Sequence, residues 1–298
     1  MGAGAAELPV SGEYDDRHSR AGPVAPALPE PLGAPIVDAH THLDACAGRT
    51  ERDVRAAMDR AEAVGVVAAV TVADDLESAR WVPKAAGWDA RVVAAVALHP
   101  TRAGGLDDAV RDELARLAAG DRVVAIGESG LDYYWPQRDP GCADPAIQRE
   151  AFGWHIELAK RLGKPLMIHD RDAHDDVLAV LKAEGPPETV IMHCFSGDAA
   201  LAERCADAGY LMSFAGPVTF RNARELREAA AVAPAELLLV ETDAPFLTPH
   251  PHRGKPNEPY CLPWTLRGLA DIRGVHPDQL ADTVRANAER VFRLDKLR

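Results

Sequence analysis

The chain has 298 residues, a length that allows one large barrel or two smaller domains with a substantial core. Hydrophobic residues make up 47% and charged residues 27%, as in ordinary soluble globular proteins, and no stretch approaches the roughly 20 apolar residues of a membrane helix. The formal net charge of −13 argues against broad binding of nucleic acid, which depends on Lys and Arg neutralising phosphates. A nucleic-acid substrate is not excluded, because divalent cations in a site can supply positive charge locally.

The five cysteines are an odd number and none lies in a C-x-x-C pair, which argues against a disulfide framework and against a thiolate zinc site. The N-terminus lacks a basic region followed by an apolar stretch, so it is not predicted to be a signal peptide. A cytoplasmic location follows by default. The sequence indicates no membrane segment and no obligate protein partner.

Residues 1–34 are rich in Ala, Gly and Pro, carry more acidic than basic side chains and lack apolar periodicity. They are predicted to form a disordered acidic tail without an assignable role, and residues 35–298 are predicted to form one domain. In that domain short β-rich runs alternate with longer helical patterns, which is typical of repeated βα units around a parallel sheet. The eight predicted strands are Ile36–His40, Val66–Val72, Val92–Leu98, Val123–Gly127, Pro165–His169, Thr189–His193, Tyr210–Phe214 and Leu237–Asp243.

Helical patterns lie between the predicted strands and close the chain. They include Arg52–Val64, Ala146–Leu162, Asp172–Lys182, Arg221–Ala231, Trp264–Ile272 and Pro277–Phe292. Eight strands in roughly 260 residues fit a barrel better than an open doubly wound sheet. The predicted fold is therefore α/β: a (β/α)8 TIM barrel with a parallel eight-stranded core and a C-terminal helix.

The sequence IVDAHTHLD, in and after the first predicted strand, places Asp38, His40, His42 and Asp44 at alternate positions. A strand sends every second side chain to the same face, so His40 and His42 are expected to converge, with both carboxylates at the same parity. Two converging imidazoles are half of a metal site. One H-x-H is weak by itself, because short motifs often occur by chance.

Further polar side chains follow the apolar runs of other predicted strands, and in TIM barrels active sites gather at these carboxyl ends. The residues concerned are His99, Glu128, His169, His193 and Asp243. Buried polar groups need partners, and four imidazoles with two carboxylates suffice for two divalent ions with one bridging carboxylate. Three other histidines fall in helical patterns and are not predicted to be ligands: His155, His174 and His276.

Seven motifs occur along the chain in this order: DAHTHLD, LHP, GESGLDYYW, IHDRDA, MHCFSG, SFAGPVTF and ETDAPFLTPHPHRGKPNEP. Together they resemble the TatD family of metal-dependent deoxyribonucleases, within the amidohydrolase-like barrels, from Ile36 to about Phe292. The resemblance implies six metal ligands, namely His40, His42, Glu128, His169, His193 and Asp243. It also implies that Glu128 bridges the ions and that His99 and Arg253 face the substrate. Asp243 is the expected general base, and Ser129 stands where family members usually carry an apolar residue.

The function expected from this resemblance is hydrolysis of DNA phosphodiester bonds, with 3'-5' exonuclease action on single strands through a hydroxide activated by two ions. DNA, as a single strand or a 3' end, is the expected partner. Mg or Mn suits a carboxylate-rich nuclease site and Zn suits imidazoles, so the sequence does not choose the metal. An alternative is hydrolysis of a non-DNA ester or amide, such as an aminoacyl-tRNA ester or a lactone. A non-catalytic metal protein is a third interpretation, which the intact Glu128 and Asp243 disfavour.

Overall fold

The computed structural model describes residues 24–294. Within them, eight parallel strands follow one another around a single sheet, each paired with its neighbours in the chain. The strands are β1 (Ile36–Thr41), β2 (Val66–Val72), β3 (Val92–Ala95), β4 (Val123–Asp132), β5 (Leu166–Arg171), β6 (Val190–Met192), β7 (Leu211–Phe214) and β8 (Leu238–Val240). The predicted TIM barrel is confirmed.

Helices lie between the strands and complete the chain. They are α1 (Leu43–Cys46), α2 (Glu51–Glu62), α3 (Leu76–Trp88), α4 (Asp108–Ala118), α5 (Pro145–Leu162), α6 (His174–Glu184), α7 (Ala199–Asp207), α8 (Arg224–Val232), α9 (Leu262–Arg273) and α10 (Pro277–Phe292). Several begin at a side chain that accepts a hydrogen bond from an N–H of the first turn, which satisfies groups that the helix itself leaves unpaired. These capping residues are Thr50, Asp75, Asp107, Asp144 and Asp198.

Apolar side chains fill the inside of the barrel and the layer between the strands and the helices. Val70, Met167 and Leu239 belong to the interior cluster, and the end of α10 contributes Val291 and Phe292 to it. The predicted C-terminal helix therefore packs against the barrel interior, leaving the opposite ends of the strands for polar residues. No helix among residues 24–294 has the length and apolar character needed to cross a membrane.

Strand β4 is longer than predicted, and this changes where Glu128 lies. The whole strand is ten residues long and ends at Asp132, because Ser129 and the residues after it also pair with β5. The pairing shifts register between Ile126 and Ser129. Glu128 therefore lies at an irregularity within the strand, where such shifts redirect a side chain, and not at its end as predicted. Strand β8 is correspondingly shorter than predicted and ends before Asp243.

The first strand and the segment after β8 meet through hydrogen bonds that fix the position of Asp243. The backbone N–H of Asp243 donates to the carbonyl of His40 at 2.9 Å, and that of His42 donates to Ala244 at 2.8 Å. The buried carboxylate of Asp38 accepts the backbone N–H of Thr242 at 2.9 Å and its hydroxyl at 2.6 Å. This seam holds the predicted general base beside the H-x-H motif.

Part of the predicted disordered tail packs on the barrel. The hydroxyl of Tyr260 donates to the carbonyl of Pro26 at 2.9 Å, and Arg267 donates to the carbonyl of Glu30 at 2.6 Å. The predicted tail boundary at residue 34 is therefore corrected, since the contacts begin near Pro26. The rest of the predicted tail, residues 1–23, lies outside the described residues.

Candidate metal centre

The six predicted ligands come together at the carboxyl ends of the strands. His40 and His42 come from the end of β1 and the residue after it, Glu128 from the shifted part of β4, and His169 from β5. His193 and Asp243 follow β6 and β8. All are buried except His169, which is half-buried. The strand-end rule thus identified residues from five strands that share one space.

One group of donor atoms is built around the H-x-H motif. The Nε2 atoms of His40 and His42 lie 3.2 Å apart, so the predicted convergence of the two rings is confirmed. Oδ1 of Asp243 lies 3.6 Å from Nε2 of His40 and 3.5 Å from Nε2 of His42. Burial and the neighbouring His193 hold the pKa of His40 well below its usual value, so this ring is neutral at pH 7. A neutral imidazole is the form that ligates a cation.

Glu128 faces two groups of ligands at once. Its Oε1 lies 3.8 Å from Nε2 of His42 in the first group. Its Oε2 lies 3.3 Å from Nδ1 of His169 and 3.2 Å from Nε2 of His193, which form the second group. Because the two carboxylate oxygens address different groups, Glu128 has the geometry of a bridging ligand.

Two further acids hold the histidines of the second group. Oδ2 of Asp132 lies 2.9 Å from Nε2 of His169, and Oε1 of Glu241 lies 2.8 Å from Nδ1 of His193. A carboxylate next to one ring nitrogen keeps the proton there and leaves the lone pair on the other nitrogen. In both rings that other nitrogen is the one that faces Glu128.

The titration of these groups follows from this crowding. Burial would raise the pKa of Glu128, but His193 and the hydrogen bond with His169 hold it well below its usual value. Burial would lower the pKa of His169, but its hydrogen bonds with Asp132 and Glu128 raise it to about 9. The pKa of His193 is raised well above its usual value against the effect of burial, mainly by Glu241 and Glu128. In the metal-free protein, protons therefore balance the buried carboxylates.

The donor set fits divalent metal ions. The candidate ligand atoms of His40, His42 and Glu128 all lie within 4.8 Å of one another, and the same holds for Glu128, His169 and His193. Buried carboxylates need a compensating cation, and imidazole with carboxylate is a combination that Zn and Mn accept. An ion in each group would replace the protons that the imidazoles otherwise carry.

Comparison with known proteins agrees with this chemistry. The family described as TatD related DNase matches residues 37–293. A protein of Mycobacterium tuberculosis named "Uncharacterized metal-dependent hydrolase TatD" is 64% identical over 263 residues, which cover 88% of this chain and 100% of that protein. The chain belongs to the TatD family of metal-dependent hydrolases.

Two further members extend the comparison. The Erwinia billingiae protein named "3'-5' ssDNA/RNA exonuclease TatD" is 39% identical over 203 residues, covering 66% of this chain and 76% of that protein. The crystal structure of YJJV, a TatD homologue from Escherichia coli K12, matches with a TM-score of 0.79 at 30% identity. That match covers 87% of this chain and 98% of the other, so the TatD barrel extends over nearly all the described residues.

Two acids of the H-x-H motif do not join this TatD centre, although their parity predicted that they would accompany the histidines. Asp38 is engaged by Thr242 in the seam between β1 and β8. Asp44 lies in α1, since the strand ends at Thr41, and pairs with Arg49 at 3.2 Å. For Asp44 the alternation fails because helix α1 begins directly after His42.

Asp74 is a residue of the site that the sequence interpretation missed. It follows β2 by two residues, and its Oδ1 lies 3.5 Å from Nδ1 of His42. Burial opposes protonation of His42, but the Asp74 carboxylate raises the pKa of this histidine to about 10. The signal was available, because Asp74 follows the apolar run of β2 in the way that the other site residues follow theirs.

His99 lies beside the ligands. Its Nε2 is 3.2 Å from Nδ1 of His169, while its Nδ1 accepts the backbone N–H of Thr101 at 3.2 Å. Arg253 lies with its guanidinium 4.6 Å from the ring centre of Phe220. That both residues bind substrate stays a prediction.

Proposed function

We propose that the protein is a two-metal phosphodiesterase that degrades DNA from its 3' end, with a preference for single strands. The observation that carries the proposal is the position of Glu128 between two groups of imidazoles. A pair of ions bridged by one carboxylate is suited to a phosphodiester, because the attacking and the leaving oxygen both need stabilisation. The family match and the printed name of the Erwinia relative support a nucleic-acid substrate.

Each ligand has a defined part in this proposal. His40, His42 and Asp243 would hold one ion, His169 and His193 the other, and Glu128 both. When bound, the ions supply a nucleophile from water near neutral pH and stabilise negative charge on the phosphate. Asp243 lies within 3.6 Å of both imidazoles of the H-x-H motif and would accept the proton of the attacking water.

His99 would bind the phosphate as a neutral donor. Burial and the neighbouring His169 lower the pKa of His99 to about 3, so the ring carries one proton at pH 7. Because its Nδ1 accepts a hydrogen bond from Thr101, that proton is on Nε2, which faces the metal centre. A neutral donor in this position can bind a phosphate oxygen without competing with the ions for the carboxylates.

The proposal is tested by stripping the purified protein with a chelator and adding back Mg, Mn or Zn separately. A 5'-labelled single-stranded DNA oligonucleotide should shorten one nucleotide at a time only after metal is restored, and a blunt duplex should be cut more slowly. Glu128→Gln should abolish cleavage and weaken metal binding, because a neutral amide bridges two cations poorly. Glu157→Gln, an exposed change on α5, is the matched control.

The alternative substrates are included in the same assay. An aminoacyl-tRNA ester and a lactone are offered to the metal-loaded protein under the same conditions. Metal-dependent hydrolysis of one of these, with no cleavage of DNA, would replace the proposed function by the ester alternative. If the protein bound metal but hydrolysed neither DNA nor any of these compounds, the proposed phosphodiesterase function would also be contradicted.

A further inference from the structure

A cluster of aromatic and cationic side chains lies next to the metal centre and takes no part in holding metal. It consists of Tyr134 and Trp135 in the loop after β4, Arg138 four residues along from Tyr134, and Arg171 at the end of β5. The guanidinium carbons of Arg138 and Arg171 lie 3.5 Å and 3.8 Å from the centre of the Tyr134 ring. We refer to these four residues as the cation–aromatic cluster.

The second ring of the cluster extends the same surface. Trp135 lies edge-to-face with Tyr134, with the ring centres 5.3 Å apart, and Arg171 is 5.6 Å from the Trp135 ring centre. Both rings are half-buried, so each keeps part of its surface open to solvent. A chain with a net charge of −13 has thus placed two cations and two rings together at one position.

Asp132 ties this cluster to a metal ligand. Its Oδ1 accepts the backbone N–H groups of Tyr134 and Trp135 at 3.0 Å and 2.8 Å, while its Oδ2 faces His169. Arg171 follows His169 by two residues on β5, a separation of about 7 Å along an extended strand. The cluster therefore lies next to His169 of the second ligand group, and both Asp132 and strand β5 hold it in that position.

The neighbouring residue Tyr133 shows what an arginine–tyrosine contact with a structural role looks like in this chain. Its hydroxyl donates to Asp176 at 2.7 Å, and the same carboxylate pairs with Arg149, whose guanidinium lies 5.5 Å from the ring centre. There an acid neutralises the arginine. Arg138 is exposed and, among residues 24–294, has no ion pair, so its charge remains available to an anion.

We propose that the cation–aromatic cluster is a subsite for one base and the adjoining phosphate of a single-stranded nucleic acid whose next phosphodiester lies at the metal centre. Guanidinium groups bind phosphate with two parallel hydrogen bonds, and aromatic faces stack on any base. An unpaired base is required, because a base inside a duplex has no free face. This subsite rests on the proposed function and gives it a physical basis for strand preference.

The test uses the full-length, Mn-loaded protein with two substrates. One is a single-stranded oligothymidylate, and the other is methyl p-nitrophenyl phosphate, which is too small to contact the cluster and the metal centre together. Trp135→Ala should raise KM for the oligonucleotide about 5- to 100-fold, the usual effect of removing one stacked base contact. Trp135→Phe keeps an aromatic face, so its KM for the oligonucleotide should stay close to that of the wild type. Turnover of the small diester should not change in either variant.

The arginines are tested by the salt dependence of oligonucleotide binding. Loss of one phosphate contact should reduce the slope of log Kd against log salt by about 0.7 for a single strand. Arg138→Gln and Arg171→Gln should each produce this change, whereas Arg149→Gln removes the same charge outside the cluster and should not. Because Arg138 is exposed, its variant also answers the question if Arg171→Gln does not fold.

The outcomes separate the subsite from the function on which it rests. Failure of the wild-type protein to bind or cleave the oligonucleotide would overturn both proposals. Cleavage by the wild type, with the cluster variants indistinguishable from Arg149→Gln, would overturn the subsite and leave the phosphodiesterase function intact.

Discussion

Replacing Asp132 by asparagine tests whether the acids around the metal centre set the protonation of the ligands. The side chain is fully buried; one oxygen accepts the backbone N–H groups of Tyr134 and Trp135, and the other lies 2.9 Å from Nε2 of His169. In Asp132→Asn the one remaining side-chain oxygen still accepts the backbone N–H groups of Tyr134 and Trp135. The amide NH2 of the new side chain therefore faces His169. Two donors then face each other, and the ring must move its proton to Nδ1, which faces Glu128.

The expected loss follows from that misplaced proton. Partners that orient a metal-bound histidine are typically worth 10- to 100-fold in metal affinity or activity. This range corresponds to about 1.4 to 2.7 kcal/mol, at about 1.4 kcal/mol for each factor of ten. We expect one of two Mn ions to bind 10- to 100-fold more weakly in Asp132→Asn, since His169 belongs to only one ligand group, and kcat/KM at limiting Mn to fall in proportion.

The measurement is a competition titration of the stripped protein with a chelating indicator, followed by turnover at increasing Mn. A matched control exists one residue after His169. Asp170 pairs with Nδ1 of His174 at 2.7 Å, on a histidine that is not a predicted ligand, so Asp170→Asn breaks the same kind of pair without reaching the metal. If Asp132→Asn bound both ions with wild-type affinity, the role given to this carboxylate would be wrong.

Three other changes have defined outcomes. Asp243→Asn should keep the fold and most of the metal while kcat on single-stranded DNA falls by about 10² to 10⁴, the usual contribution of a general base; normal kcat would exclude that role. Removing residues 1–34 should lower the melting temperature, because the hydrogen bonds of Pro26 and Glu30 are lost, whereas removing residues 1–25 keeps those bonds and should cost less. The metal-free protein should lose stability as pH rises from about 6.5 through 10, because His169 and His42 have folded-state pKa values of about 9 and about 10. The affinity for metal should rise over the same pH range, because the histidines lose the protons that compete with it. If the melting temperature changed with pH to the same extent with and without Mn, this coupling of protonation to metal binding would be wrong.

The candidate metal ligands were accessible from the sequence because each lies in or shortly after a strand that begins with an apolar run. A buried run that ends in His or Asp indicates a polar group at the mouth of a barrel, and four of the eight predicted strands end in this way. This reasoning found His193 and Asp243 although both lie beyond the ends of their strands.

The acids that support the ligands were harder to predict. Asp132 reaches His169 only because β4 shifts register and then continues beside β5, and nothing in the pattern of GESGLD announces that shift. Glu241 lies two residues before Asp243 and could equally have been taken for a ligand. An acid that would bind metal and an acid that pairs with a histidine differ in position by about the length of one hydrogen bond. The periodicity of a sequence cannot distinguish positions so close together.

The segment before β1 was assigned to the tail because it has no apolar periodicity. Some of its contacts use backbone atoms: the carbonyls of Pro26 and Glu30 accept hydrogen bonds from side chains of the barrel. Side-chain patterns carry no information about such contacts, since every residue has a carbonyl. Leu32 and Ala34 pack their side chains against the core. Composition predicted a disordered tail for this stretch and could not predict these contacts.

The seam between β1 and β8 links stability to chemistry in this barrel. Asp38 is buried, and although Thr242 donates two hydrogen bonds to it, desolvation raises the pKa of its carboxyl to about 8. The same few residues close the sheet and hold Asp243 beside His40. A change at Asp38 must therefore alter both unfolding and metal binding. Asp132 contacts a ligand from outside the seam, so its replacement can separate the two effects, and this makes it the more informative position for testing the metal centre.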